Sequence, residues 1–160
     1  MTLKVGDRLP HTTLAIMGDL GPQNIASETL FKDKRVVVFG LPGAFTPTCS
    51  ARHLPGYLEQ ADEFRARGID SIVCLAVNDA FVMDAWGKQQ GVGDKILMVA
   101  DGSGEFARAT GLELDMTARG FGWRSHRYAM VVEDGLVTAL NIEEPGQFEV
   151  SDAKSILALL

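Results

Sequence analysis

The sequence predicts an α/β sandwich in which helices cover both faces of a central mixed sheet. Strand-like and helix-like patterns alternate along most of the chain, which is typical of parallel β-α-β pairing. The runs at residues 35–41 and 72–77 are almost wholly apolar, as expected of strands that are covered on both faces. Near the C-terminus, Asp134-Gly135 separates two apolar runs and predicts a hairpin that adds an antiparallel edge.

The first 34 residues are rich in turn signals, and we expect them to form an edge hairpin that covers the core. Residues 11–16 are predicted to be a short strand. Residues 27–31 are predicted to form a short helical turn that Ser27 caps, because a serine hydroxyl can accept from a free backbone N–H of the first turn. The first buried strand then follows at residues 35–41.

A long helix is predicted to begin at Cys49 and to run to about residue 67. Gly68 follows as a natural helix terminator. Pro55 lies inside this pattern, and because proline lacks an N–H and crowds the preceding turn, we expect a kink one turn past the cysteine. One face of the predicted helix is apolar: Leu54, Tyr57, Leu58, Ala61 and Phe64.

The second half of the chain continues the alternation. A helix over residues 80–90 follows the strand at 72–77, with Asn78 or Asp79 as its cap and Gly91 at its end. Its predicted apolar stripe is Phe81, Val82, Ala85 and Trp86.

Shorter elements complete the prediction. Residues 96–99 form a third strand, residues 105–110 a short helix, and residues 112–123 a loop. The hairpin pairs residues 128–132 with 136–140, and a final helix starts at Ser151 or Asp152.

Length and composition narrow the class of protein. A chain of 160 residues fits a single domain, 1–160, with one sizeable core. The net charge is −6 and no basic block stands out, so nucleic acid is not an expected partner. No apolar run is long enough to span a membrane, and the N-terminus lacks the apolar core of a signal peptide, so a cytoplasmic protein is expected.

Two cysteines and three histidines are too few, and wrongly spaced, for a disulfide scaffold or a Cys/His zinc site. We therefore expect no metal and no bound organic cofactor.

Cys49 is the main candidate for chemistry, because it stands where a strand has ended, a Pro-Gly turn has closed and a helix begins. A free thiol ionises near a pKa of about 8.5, and helix N-termini and nearby cations lower that value. The cation must come from elsewhere in the chain, and Arg127, just before an apolar strand, is favoured over Arg52, Arg119 and Arg124. The alternative is that Cys49 is only a small buried hydrophobe.

The loop before the cysteine suits a rigid substrate cradle. Thr46 supplies a hydroxyl that could bind a substrate oxygen while sharing a proton with the sulfur. Pro42 and Pro47 stiffen the loop and remove two N–H groups. His53, one turn after Cys49, is interpreted as a polar residue of the helix surface, although a direct role stays open.

The segment 42–50, Pro-Gly-Ala-Phe-Thr-Pro-Thr-Cys-Ser, followed by His-Leu-Pro-Gly-Tyr at 53–57, resembles the active-site signature of peroxiredoxins of the type II, or peroxiredoxin-5, subgroup. Residues 77–83 with Trp86, and residues 127–135, also match this subgroup. The resemblance extends from about Gly6 to the last helix.

This resemblance implies a thioredoxin-like three-layer sandwich and the reduction of hydrogen peroxide and alkyl hydroperoxides. Cys49 matches the peroxidatic cysteine, which forms a sulfenic acid. Thr46 matches the hydroxyl that orients the peroxide, Pro42 the proline that shields the sulfur, and Arg127 the arginine that stabilises the thiolate. The subgroup's dimers suggest a homodimer with Phe45, Phe81 and Trp86 at its interface, although Trp86 could equally be core.

The resemblance leaves the route of regeneration open. The region 148–152 has no cysteine, so a resolving cysteine near the C-terminus is absent there. Cys74 matches a second cysteine of some type II enzymes, but its apolar neighbours favour a core role. The expected reductant is therefore external: glutathione, glutaredoxin or thioredoxin.

Two other classes remain as alternatives. In one, Cys49 oxidises without turnover in a redox-sensing or holdase-type binding module. The other is a disulfide exchanger, against which the lack of a Cys-x-x-Cys pair argues.

Overall fold

A mixed sheet of seven strands organises the computed structural model, which describes residues 2–160. The strand order is β2-β1-β5-β4-β3-β8-β9, and β6 and β7 form a separate pair. The strands are β1 (Thr13–Gly18), β2 (Gly21–Ala26), β3 (Arg35–Gly40), β4 (Ser71–Ala76), β5 (Leu97–Ala100), β6 (Glu113–Met116), β7 (Gly122–Ser125), β8 (Tyr128–Glu133) and β9 (Leu136–Ile142).

The middle of the sheet is parallel, as the alternating pattern predicts. β3 pairs in parallel with β4, and β4 with β5. The side chains of Val36, Val37 and Val38 in β3 are all fully buried, although they point alternately to opposite faces. An unbroken apolar strand is therefore the sequence of a strand covered on both sides.

Hairpins form both edges of the sheet. β1 and β2 pair antiparallel at one edge, which confirms the predicted edge hairpin. At the other edge β8 and β9 are joined by Asp134 and Gly135, whose φ angles are +49° and +79°. Two consecutive positive φ angles are the requirement of the hairpin turn that Asp-Gly favours, so this prediction is confirmed as well.

Helices cover the sheet on two faces and make three layers, which is the predicted thioredoxin-like sandwich. On one face α1 (Ser27–Phe31) and α5 (Glu105–Thr110) bury Leu30, Phe31 and Phe106. The other face carries four helices: α2 (Leu54–Glu59), α3 (Ala61–Ala66), α4 (Ala80–Gln90) and α6 (Ala153–Leu157). In the described part of the chain, no helix has the length and apolar character needed to cross a membrane.

The helix predicted over residues 49–67 is interrupted twice. A π-helix spans Cys49–His53, and the Leu54 N–H donates to the Cys49 carbonyl. Pro55 lies two residues after this π-helix, and because its ring crowds the carbonyl four residues back, the expected irregularity takes the form of this wider turn. A second interruption at Gln60, which separates α2 from α3, was not predicted.

One prediction about the helices is wrong, and another is correct only in part. Ala26, not Ser27, is the N-cap of α1, because the Ser27 hydroxyl donates to the Pro10 carbonyl and accepts from the Thr12 N–H. In α4 the predicted stripe is correct for Trp86, which is buried, and for Val82, which packs against the core, but Phe81 and Ala85 are exposed. Ala80, Met83 and Gly87 complete the buried face instead. Asp79 caps this helix by accepting from the Val82 N–H, as predicted.

The predicted loop at residues 112–123 is instead largely the two-stranded sheet of β6 and β7. A single 3-10 turn, Thr117–Arg119, joins the strands and ends at Gly120, whose φ is +77°. These strands have only four residues each and little apolar alternation, so periodicity gave no signal for them.

Candidate active site

Cys49 lies in the first turn of an irregular helix that begins at Pro47. The first helical hydrogen bond runs from the Ser50 N–H to the Thr46 carbonyl, at 2.9 Å. The sulfur is fully buried, in the cluster that also contains Leu41 and Leu54. The predicted position at a helix start is confirmed, and the free N–H groups of that turn favour negative charge on the sulfur.

Arg127 contacts this sulfur, as predicted. Its Nη2 atom lies 3.2 Å from the Cys49 Sγ atom. The sheet explains how residues so far apart in sequence meet. β8 pairs antiparallel with β3, and Tyr128 stands opposite Gly40, so Arg127 lies where β3 ends and the loop toward Cys49 begins.

His53 is part of this site, and its interpretation as a surface residue is wrong. It is fully buried, with Nδ1 2.9 Å from Arg127 Nη1 and Nε2 3.1 Å from the Ser151 carbonyl oxygen. Arginine can only donate, so Nδ1 accepts and Nε2 carries the proton. Burial, and then the charge of Arg127, lower the pKa of His53 to about 3.

Spacing contained a signal for His53 that was not used. It lies four residues after Cys49 and four before Tyr57, and all three are fully buried. Residues four apart share a helix face, so the partner of a buried cysteine on that face is itself expected to be buried.

The loop between β3 and the helix is held by three hydrogen bonds, one within the loop and two to distant residues. The Thr46 hydroxyl donates to the Gly43 carbonyl at 2.7 Å, not to the sulfur as expected. The Ala44 N–H donates to Asn78 Oδ1 at 2.9 Å, and Arg124 Nη1 donates to the Pro42 carbonyl at 3.3 Å. Because the Thr46 hydroxyl already donates its proton to the Gly43 carbonyl, its oxygen can accept a hydrogen bond from a substrate.

A cleft of about 930 Å³ opens beside the buried sulfur. Pro42, Thr46 and Arg127 line it, so three of the four predicted site residues share one cavity while Cys49 lies behind it, in contact with Arg127. Arg52 and Phe148 also line the cleft, and the Arg52 guanidinium lies 4.8 Å from the centre of the Phe148 ring. Arginine side chains and an aromatic ring thus lie at the approach to the sulfur, and acidic residues, among them Glu144 and Glu149, line other parts of the cleft.

Cys74 occupies a central position of β4 and belongs to the same buried cluster as Cys49. Burial, and secondarily the proximity of Cys49, raise the pKa of Cys74 well above its ordinary value. A thiol held in its protonated form is a poor nucleophile, which favours the predicted core role.

The three aromatic residues named for an interface have different environments. Trp86 is fully buried and its Nε1–H donates to the Ser50 hydroxyl at 3.0 Å, so it is a core residue. Phe45 and Phe81 are 49% and 64% exposed.

No group of three or more His, Cys, Asp or Glu side chains within residues 2–160 is arranged to hold a metal ion.

Known proteins share this sequence and this fold. The family model described as Redoxin matches residues 4–157. Peroxiredoxin-2B of Arabidopsis thaliana is 45% identical over 159 residues, covering 99% of this chain and 98% of the relative.

Two solved structures share the fold of this chain along nearly its whole length. A reduced Prx3 of Vibrio vulnificus, in complex with H2O2, has a TM-score of 0.95 and 49% identity and covers 99% of each chain. A Burkholderia cenocepacia protein described as a proposed thioredoxin reductase has a TM-score of 0.98 and 53% identity, covering 100% of this chain and 99% of its own. The present sequence has no Cys-x-x-Cys pair, which disulfide exchange within one chain would use. The chain therefore belongs to the peroxiredoxin family, in its type II subgroup, and is a thiol-dependent peroxidase.

Proposed function

We propose that Cys49 is the peroxidatic cysteine and that Thr46, Pro42 and Arg127 complete its catalytic site. The observation that carries this proposal is the 3.2 Å contact between Arg127 Nη2 and Cys49 Sγ at the start of a helix. A guanidinium donor and free backbone N–H groups both stabilise a thiolate, which is the reactive form of cysteine.

Hydrogen peroxide and alkyl hydroperoxides are the proposed substrates. The thiolate attacks one peroxide oxygen, an S–O bond forms and the O–O bond breaks. Sulfur loses two electrons and becomes a sulfenic acid, while the other oxygen leaves as hydroxide or alkoxide and takes up a proton. Arg127 stabilises the negative charge that develops on these oxygens, and Pro42 limits the access of water.

The orientation of the peroxide is the proposed role of Thr46. Since its hydroxyl donates to the Gly43 carbonyl, its oxygen can accept a hydrogen bond from the O–H group of the incoming hydroperoxide. Arg124, through the Pro42 carbonyl, helps to hold this loop in place.

Regeneration is proposed to use an external thiol, supplied by glutathione with glutaredoxin or by thioredoxin. The first thiol attacks the sulfenic sulfur, releases water and forms a mixed disulfide. A second thiol then attacks that disulfide and restores Cys49, leaving the oxidised reductant. The burial of Cys74 supports this route over an internal disulfide.

The decisive experiment is steady-state peroxide consumption by the wild type, Cys49→Ser and Cys74→Ser, with glutathione and glutaredoxin as reductants. Cys49→Ser should abolish turnover while the protein stays folded, because serine cannot form a sulfenic acid. Turnover that survives in this variant would refute the assignment. A wild type that takes up one equivalent of peroxide and then stops, both with glutathione and glutaredoxin and with thioredoxin in their place, would instead indicate a redox-sensing module.

Cys74→Ser is expected to keep most of the glutathione-supported activity. Mass spectrometry after one equivalent of peroxide distinguishes a sulfenic acid, a Cys49–Cys74 disulfide and a glutathione adduct. Loss of most activity without unfolding, together with the internal disulfide, would make Cys74 the resolving thiol.

A homodimer and a cytoplasmic location belong to the same proposal. The exposed rings of Phe45 and Phe81 support a self-association surface next to the active-site loop. The regeneration cycle supports a compartment with a reducing thiol pool. Sedimentation of the wild type and of Phe81→Asp, and fractionation of cells that express the protein, test these two statements.

A further inference from the structure

A buried carboxylate organises the segment that lies behind the active-site arginine. Glu143 directly follows β9 and is only 4% exposed. Its Oε2 atom accepts hydrogen bonds from the backbone N–H groups of Glu149, Val150 and Ser151 at 2.8 to 2.9 Å. The Ser151 hydroxyl donates to the same oxygen at 2.7 Å. One side chain thus fixes the conformation of residues 149–151.

This arrangement orients the carbonyl group of Ser151. The Ser151 oxygen accepts from His53 Nε2 at 3.1 Å and from the Tyr57 hydroxyl at 2.7 Å. Both donors come from the helix that carries Cys49, and Ser151 itself is fully buried. The Ser151 carbonyl oxygen can accept both hydrogen bonds only while the Glu143 side chain holds Ser151 in this orientation.

This carbonyl determines which nitrogen of His53 carries the proton. With Nε2–H directed at Ser151, Nδ1 has a free lone pair and can accept from Arg127 Nη1. In the other tautomer Nδ1 would carry the proton, and its N–H would face a guanidinium, which has no acceptor. Arg127 would then lose the hydrogen bond at Nη1 that orients its Nη2 atom toward Cys49.

The same segment also contacts the arginine by a second route. The centre of the Phe148 ring lies 5.7 Å from the guanidinium carbon of Arg127 and 5.0 Å from the centre of the His53 ring. The Glu143 backbone N–H donates to the Arg127 carbonyl at 2.9 Å. Segment 143–151 and Arg127 are therefore connected through both backbone and side chains.

We propose that Glu143 is a positioning residue for the Cys49 sulfur, acting through the Ser151 carbonyl, the His53 tautomer and the Arg127 guanidinium. This proposal rests on the proposed peroxidase role of Cys49. A residue that orients the partner of a reacting group typically changes function by a factor of about 10 to 100 when it is removed.

The carboxylate is specific for this role because four donors converge on it. Although burial opposes ionisation, the hydrogen bonds from Ser151, Glu149 and Val150 lower the pKa of Glu143. A glutamine can place its single carbonyl oxygen at the Oε2 position, but its amide then meets the Glu149 N–H, 3.0 Å from the Oε1 position, with another donor. An alanine leaves all four donors without their acceptor.

The test compares Glu143→Gln and Glu143→Ala with the control Asp152→Asn. Asp152 is a neighbouring carboxylate whose side chain caps α6 by accepting from Ser155, and it makes no hydrogen bond with Glu143, His53 or Arg127. Glu143→Gln should slow the single-turnover reaction with hydrogen peroxide by about tenfold, and Glu143→Ala by up to about 100-fold. Asp152→Asn should stay within about twofold of the wild type, because asparagine caps a helix about as well as aspartate and Asp152 takes no part in holding the Ser151 carbonyl.

Nitrogen-15 NMR of His53 supplies a readout that a purely structural role would not move. The wild type and Asp152→Asn should show one protonated Nε2 and one unprotonated Nδ1, whereas Glu143→Gln should show the two tautomers averaging. Unchanged His53 signals in Glu143→Gln, or a rate equal to that of Asp152→Asn, would overturn the proposal. A wild type without peroxide reduction would refute the peroxidase role of Cys49, while the NMR comparison would still decide whether Glu143 sets the His53 tautomer.

Discussion

Replacing Arg127 tests the contact on which the proposed chemistry depends. Arg127→Ala removes the donor 3.2 Å from Cys49 Sγ, and a hydrogen bond to a charged group contributes about 1.5 to 3 kcal/mol. At about 1.4 kcal/mol per tenfold, the second-order rate with hydrogen peroxide should fall by about 10- to 150-fold. Arg127→Lys keeps the charge but not the fork that serves both the sulfur and His53 Nδ1, so an intermediate loss is expected.

Stopped-flow reduction of hydrogen peroxide, without added reductant, isolates this first step. Arg52→Lys is the matched control, because Arg52 lines the same cleft and lies over Phe148. It should change the rate by no more than about twofold, since its main contact is with an aromatic ring. Urea unfolding of each variant separates lost reactivity from lost structure. A folded Arg127→Ala protein that reacts as fast as the wild type would refute the reasoning.

Two further predictions concern stability. Gly40→Ala should lower the free energy of unfolding in urea by more than about 3 kcal/mol, because the new Cβ would collide with the fully packed ring of Tyr128. Gly56→Ala lies in open space on α2 and should be neutral or stabilising by up to about 1 kcal/mol. Equal effects of the two substitutions would contradict this packing. His53 stays neutral in the folded protein down to its pKa of about 3, whereas in the unfolded chain it takes up a proton near pH 6.5. The contribution of neutral His53 to the free energy of unfolding is therefore complete above pH 6.5 and is lost as the pH falls toward 3. Between about pH 7 and about pH 4.5, the wild type should therefore lose about 2 to 3 kcal/mol more than His53→Gln, and equal losses in the two proteins would show that His53 is not held neutral.

Several parts of the fold follow from local patterns. The apolar runs of β3 and β4 predicted central strands, and Asp134-Gly135 predicted the hairpin, because burial on two faces and positive φ angles restrict residue type directly. The short strands β6 and β7 gave no such pattern, since their pairing with each other, not their apolar content, defines them.

The candidate site was also predicted only in part. The motif around Cys49 predicted a sulfur at a helix start, and Arg127, favoured among four arginines, is in contact with that sulfur. The burial of His53 was not predicted, although its four-residue spacing from Cys49 and Tyr57 indicated it. Its partner Ser151 is 98 residues away, and no periodicity encodes that contact. The proposed role of Glu143 depends on the same distant contact and was not predicted either.

The sequence alone therefore determined the kind of chemistry: a cysteine at the start of a helix, a stiff loop before it and a set of cations from which its partner could come. Only the tertiary structure decided how that cation is held. The antiparallel pairing of β3 with β8 brings Arg127 to Cys49, and the Ser151 carbonyl orients His53 behind it. Hydrogen bonds act only over about 3 Å and depend on direction, so residues distant in sequence acquire these roles only when the packed chain sets their positions.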